Sequence, residues 1–189
     1  MEENKVETKL FEGFNCFLGL DLSLTATGCS VFHHKSGVAS DYTTTLSSPH
    51  KGPQRLSDFA NQLENIKDTI LAQTPAEKVL VCIENYAFSR FGKIVHLGEL
   101  GGVVKHILFS SGISNIIVFP PTTLKKFATG KGVGEKGLIM TAVLKKWQID
   151  PKNNNEADAY VLSRMGHCLC HPSIYTSFQK DASKKFQLA

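Results

Sequence analysis

The chain has 189 residues, 42% of them hydrophobic and 20% charged, which suits a single compact domain with a sizeable core. No run approaches the roughly 18 apolar residues of a membrane-spanning helix, and the first dozen residues alternate acids with lysines around no apolar signal core, so no membrane partner is expected. The net charge of +4 is unevenly spread: residues 120–150 carry six lysines (125, 126, 131, 136, 145, 146) against Glu135 and Asp150, and the rest sums to zero. A local basic surface of this kind points to a polyanion, although lysines on a solvated helix face give the same count.

Residues 1–13 read as a loose leader. Residues 14–23 form an apolar run that predicts a buried central strand, and it contains one carboxylate, Asp21. A charge there is costly unless it is paired or binds a metal, so Asp21 either stabilises the following turn or faces a cleft. The turn at 24–28 leads into a second strand over 29–34 and a third over 37–46, a meander of three antiparallel strands. Helical spacing follows over 54–72, with Leu56, Phe59, Leu63, Ile66, Ile70 and Leu71 on one face. Residues 78–84 are a buried parallel strand closed by Glu84, at the end where open α/β sheets bind ligands.

The loop over 85–93 mixes Tyr86, Phe88 and Phe91 with Arg90 and Lys93, a composition that stacks on bases or covers a core. A long helix over 94–110 carries Gly98, Gly101 and Gly102. Each glycine costs about 1 kcal/mol relative to alanine, which implies close approach of the sheet or of a second subunit. A short strand over 114–119 and a helix capped by Thr122 or Thr123 come next. The glycine-rich stretch 129–136 resembles a phosphate loop but lacks the GxxxxGK[ST] pattern. A helix over 137–147, a polar loop and a last long helix opened by Glu156 and Asp158 follow, and residues 172–189 read as a tail without strong periodicity.

The five cysteines are an odd number without paired spacing, and Cys16, Cys29 and Cys82 fall in strands as small apolar groups. This pattern predicts a reducing, cytoplasmic setting. The stretch His167-Cys168-Leu169-Cys170-His171 holds metal-ligating residue types, but a structural zinc site takes four ligands in separated pairs and the sequence offers no second pair.

Asp21, Glu84 and Asp158 therefore share a setting. If the meander lies beside the parallel strands, the first and fourth strands are neighbours, Asp21 and Glu84 can converge, and the last helix can bring Asp158 over the same edge. Three carboxylates in a low-dielectric site cannot all stay charged and unpaired, and hard divalent cations resolve the conflict. Two such ions roughly 4 Å apart catalyse phosphodiester hydrolysis, and an adjacent lysine surface holds a nucleic-acid backbone.

With these residues in place, the chain resembles the RuvC family of Holliday-junction resolvases within the ribonuclease-H-like superfamily. The motifs are Leu18-Gly19-Leu20-Asp21 with Gly28, Ile83-Glu84-Asn85-Tyr86-Ala87-Phe88, Leu97-Gly98-Glu99-Leu100-Gly101-Gly102, and Thr129-Gly130-Lys131-Gly132 with Lys136, then Glu156-Ala157-Asp158-Ala159. They occur in family order over about residues 17–167, closer in character to phage and viral members than to the bacterial housekeeping enzyme. The resemblance implies an α/β, ribonuclease-H-like domain over 14–171 with a five-stranded mixed sheet, three strands antiparallel then two parallel, flanked by helices. It implies a homodimeric endonuclease that resolves four-way junctions by paired symmetric nicks leaving 5′-phosphate and 3′-hydroxyl ends, with two Mg²⁺ per site (Mn²⁺ substituting) and no small-molecule cofactor. By this resemblance Asp21, Glu84 and Asp158 are metal ligands and Lys136 is catalytic. The resemblance makes Lys136 and Lys125 phosphate contacts, has Tyr86 and Phe88 bracket the base-stacking position, and makes the helix with Gly98, Gly101 and Gly102 a dimer contact. The basic and aromatic stretches add Lys126, Lys131 and Arg90 as DNA contacts. For a viral chain the compartment is the host-cell cytoplasm.

The family carries an Asp or His three residues before its final Asp, and here that position is Asn155. Asn155 has the helical direction and Glu156 the better chemistry, and both stand as candidate fourth ligands. Three other readings compete. A broader flap or fork endonuclease would share the chemistry, and a non-catalytic junction-binding relative would share the fold. An actin-like phosphotransferase also has an Asp-bearing first hairpin, but needs two facing domains.

Overall fold

The structure is a computed structural model described here for residues 11–34, 42–85, 91–131 and 137–189. One mixed sheet organises it. In chain order its strands are β1 (Cys16–Asp21), β2 (Ala26–His33), β3 (Tyr42–Ser47), β4 (Val79–Glu84), β5 (Ile116–Phe119) and β6 (Gln187–Leu188). They lie side by side as β3-β2-β1-β4-β5-β6. The first three are antiparallel, β1, β4 and β5 run parallel, and β6 returns antiparallel. The sheet thus has six strands where the sequence led us to expect five. The added one is two residues long and comes from the tail, too short to show any alternation.

The helices are α1 (Gly52–Leu71), α2 (Phe91–Ser110), α3 (Pro121–Thr129), α4 (Leu138–Trp147), α5 (Asn154–Cys170) and α6 (Ser177–Ser183). Strand side chains alternate between faces, so each central strand feeds two cores. Cys16, Leu18 and Leu20 of β1 and Val79, Val81 and Ile83 of β4 pack with α1 and α2. Phe17, Leu80 and Cys82 point the other way, into the core built with α3, α4 and α5. Helix α3 starts on Pro121, whose missing N–H costs nothing at a first helical position, and ends on Gly130 at φ 80°. No threonine caps it; the Thr123 hydroxyl instead donates to the Pro120 carbonyl.

The tail is part of the domain. A single turn over Pro172–Ile174 and helix α6 bury Gln179, Ala182 and Ser183. A capping box between Thr176 and Gln179 starts α6. All five cysteines are free, four of them buried, and burial pushes the Cys16 and Cys29 thiols up to about 12. Among the described residues no helix is long and apolar enough to cross a membrane.

Candidate active site

Alternation and register together build the site. On β1 the residues facing α5 are 17, 19 and 21; on β4 they are 80, 82 and 84. Leu20 lies opposite Ile83 in the parallel pair, so Asp21 and Glu84 are neighbours at the C-terminal ends of adjacent strands, on the same face. Helix α5 crosses that face with little clearance. A Cβ at Gly19 would overlap the Ala159 carbonyl, and one at Gly28 would overlap the Asn155 carbonyl. These two glycines let the first turns of α5 rest directly on the β1–β2 backbone, and Asp158 comes down beside Asp21 and Glu84. The adjoining turn is pinned by Thr27, whose hydroxyl donates to the Ser23 carbonyl (2.9 Å) and accepts from the Ser23 N–H (3.1 Å).

One carboxylate oxygen from each of Asp21, Glu84 and Asp158 lies within 4.8 Å of the other two. All three are raised, chiefly by burial. Glu84 is pushed up to about 9, with the charges of Asp21 and Asp158 adding to the effect, and Asp158 to about 7. Asp21 is raised by burial while its hydrogen bond with Glu84 works the other way. Without a cation, Glu84 keeps a proton that it shares with Asp21. Oxygen Oδ1 of Asp158 is buried and accepts no hydrogen bond. Three converging carboxylates, one with an orphaned oxygen, are a hard-oxygen donor set that fits a divalent cation.

No family model matches the chain. It is 27% identical over 115 residues to the crossover junction endodeoxyribonuclease RuvC of Synechococcus sp. strain WH7803, a match covering 60% of this chain and 70% of that protein. It is 28% identical over 89 residues to RuvC of Synechococcus sp. strain CC9311, covering 46% and 55%. Among solved structures, Thermus thermophilus RuvC in complex with a Holliday junction substrate superposes with a TM-score of 0.64 at 17% identity, over 84% of this chain and 93% of the other. A second T. thermophilus RuvC structure gives 0.62 over 82% and 94%. The fold is that of RuvC.

Around the carboxylates of this RuvC-like domain, the other candidate residues separate. Lys125 is exposed on α3, and its charge reaches both Glu84 and Asp158, holding their carboxyls down against burial. Lys126 is half-buried next to it, and Lys131 is exposed after the end of α3. Tyr86, Phe88, Arg90 and Lys136 lie outside the described residues. Gly98 and Gly102 are exposed one turn apart on α2 with open space above them, whereas Gly101 is buried, on the core side. A dimer contact through that helix face therefore excludes Gly101.

Glu156 is not in the cluster. It is 2% exposed and accepts hydrogen bonds from the hydroxyls of Thr43 (3.1 Å) and Thr45 (2.9 Å) and from the Lys152 N–H (3.0 Å). This corrects its standing as a candidate ligand, since its oxygens anchor α5 to β3 instead. Helix α5 also begins earlier than expected, at Asn154, with the Asn153 side chain accepting from the Glu156 N–H (3.0 Å), so Asp158 lies a full turn inside. Asn155 donates its side-chain N–H to the Ala26 carbonyl. Its amide oxygen is the atom left to serve as a donor to a cation. The packing role of Gly19 and Gly28 was not read from the sequence; the signal was present as a glycine inside each of two buried strands.

Proposed function

We propose that this chain is a RuvC-family, metal-dependent, structure-selective DNA endonuclease that resolves four-way junctions by paired symmetric nicks. The observation that carries this reading is the triad Asp21, Glu84 and Asp158, converging within 4.8 Å on a fold shared with RuvC. Divalent cations held there, two Mg²⁺ in this reading, would activate water and stabilise the leaving oxygen. The chain's own part is to hold the three carboxylates rigidly, with Asn155 at the edge as the fourth donor, and to keep the site low in dielectric so that charge–charge interactions are strong. Lys125 lies beside the site where a phosphate would approach. Lys126 and Lys131 add to the basic surface, and in this reading Lys136 also contacts DNA phosphate while Tyr86, Phe88 and Arg90 contact bases.

Two copies of the chain, meeting through the face of α2 that carries Gly98 and Gly102, would present two sites to opposing strands. The products are 5′-phosphate and 3′-hydroxyl ends, ready for ligation. The setting is the cytoplasm, and the phage or viral character of the motifs belongs to the same proposal.

The test is cleavage of an end-labelled synthetic four-way junction, with a linear duplex and a flap of matched sequence alongside, in Mg²⁺ and in EDTA. Symmetric nicks in the junction only, present in Mg²⁺ and lost in EDTA and in Asp21→Asn, are expected, with junction binding kept by the variant. Equal cutting of flap and junction would replace junction selectivity with general branch cleavage. Binding without cutting by the wild type would overturn the catalytic reading.

A further inference from the structure

Three histidines gather at the opposite end of the sheet from the carboxylates. His34 directly follows β2, whose last residue, His33, faces Cys16 at the start of β1. Asp21 is at the other end of β1, about 17 Å away for a strand of this length. His167 and His171 lie one turn apart at the C-terminal end of α5, His171 being its C-cap. One ring nitrogen from each lies within 4.8 Å of those of the other two. His167 Nε2 is 2.7 Å from His34 Nδ1, and His167 Nδ1 is 2.8 Å from the Tyr175 hydroxyl. The Nε2 atom of His171 is buried without a hydrogen-bond partner.

We propose that His34, His167 and His171 form a transition-metal site, with Zn²⁺ as the fitting ion, separate from the carboxylate site. Imidazole nitrogens suit zinc, copper or nickel, whereas Mg²⁺ takes oxygen, so the two ends of the sheet select different cations. Tyr175 supplies the outer partner such sites use: with His167 Nδ1–H donating to its hydroxyl, Nε2 turns its lone pair toward His34 and His171. His34 then shifts its own proton from Nδ1 to Nε2 and ligates through Nδ1, with no net proton released. The last carbonyls of α5 carry the negative end of the helix dipole, which favours a cation. The charge of Arg164, which acts on His167, opposes it. The rings of His34 and His171 are stacked with centroids 3.7 Å apart and planes 20° apart. Ring lone pairs lie in the ring plane, so binding requires one ring to turn out of the stack. His34, exposed to solvent, is the ring free to do so. Three protein nitrogens leave a fourth position for water on that exposed side.

Neither member of the pair Cys168 and Cys170 belongs to this cluster. The third ligand is a single histidine 133 residues before His167, which a search for a second ligand pair in the sequence passes over.

The experiment is titration of the full chain with Co²⁺ in excess Mg²⁺, read by visible absorption, followed by Zn²⁺ displacement. Wild type is compared with His34→Ala, His171→Ala and Asp21→Asn. One equivalent with the intense bands of tetrahedral cobalt, no thiolate charge-transfer band, and displacement by Zn²⁺ are expected. Affinity should fall roughly tenfold or more in each histidine variant and stay unchanged in Asp21→Asn. His34 and His171 lie at the surface edge, so both variants should fold, which circular dichroism would verify. Cobalt bands absent from the wild type, equal affinity in either histidine variant, or loss in Asp21→Asn would overturn the proposal.

Discussion

Glu84 is the residue on which the metal-free site is most strained electrostatically. Its pKa rises from 4.5 to about 9 because it is buried beside two other acids. A carboxyl whose folded pKa is raised contributes stability below its unfolded pKa and loses it as the pH rises toward the folded one. In EDTA, then, the folded protein weakens between about pH 4.5 and pH 9 as the unfolded chain ionises. Glu84→Gln removes that penalty. Its melting temperature in EDTA should exceed the wild type's by roughly 10 °C or more at pH 8 and match it near pH 4.5, while cleavage is lost. Equal melting curves at pH 8 would show that Glu84 does not carry the proton. Asp21 and Glu84 were legible in the sequence because each lies in or closes an apolar strand whose burial takes its carboxylate out of solvent, and Asp158 because it opens an amphipathic helix that packs on the sheet. Glu156 was not legible as an anchor. Its acceptors' partners, Thr43 and Thr45, lie more than a hundred residues away, on a strand whose register no local pattern announces.

Helix α5 is the element that assembles the site, and its N-terminal end is fixed by more than packing. Glu156 collects two threonine hydroxyls and a backbone N–H, and Asn153 closes the first turn while donating to Thr45 (2.9 Å). Glu156→Ala leaves those donors without their partner in a buried setting. It should cost about 2–3 kcal/mol in urea unfolding and slow cleavage by displacing Asp158. A loss below about 0.5 kcal/mol would mean that the threonines find other partners at no cost. The long elements were readable from period alone, as in α1, whose buried Phe59, Leu63, Ile66 and Ile70 recur at helical spacing. Helix α6, seven residues long, is under two turns, too short for a period to emerge. The signal it does carry, the spacing of Thr176 and Gln179 that forms its capping box, is not used in reading the tail.

At the scale of the whole molecule, the proposed pairing of two sites depends on α2. Its exposed stripe carries Val95, Gly98, Gly102 and Phe109, with Val95 64% and Phe109 68% exposed, and among the described residues none lies over those two glycines. Gly102→Glu improves helix propensity and places a charge on the stripe, so the chain should fold yet sediment as a monomer. The variant should nick junction strands singly instead of in symmetric pairs. A dimeric Gly102→Glu would move the interface elsewhere.

Strand β6 bears on a different matter, the behaviour of the protein in a crowded solution. The segment Ile116–Phe119 is short, apolar and rich in β-branched residues, the composition of a strand that recruits strands from other molecules. Pairing of Ile117 with Leu188 and Val118 with Gln187, extended by the Ala189 N–H to the Ile116 carbonyl (3.1 Å), occupies its outer row of hydrogen-bonding groups. Two residues of tail thus act as a guard rail. They convert an adhesive margin of the sheet into one whose exposed side chains, Gln187 and Leu188, belong to a strand too brief to template another.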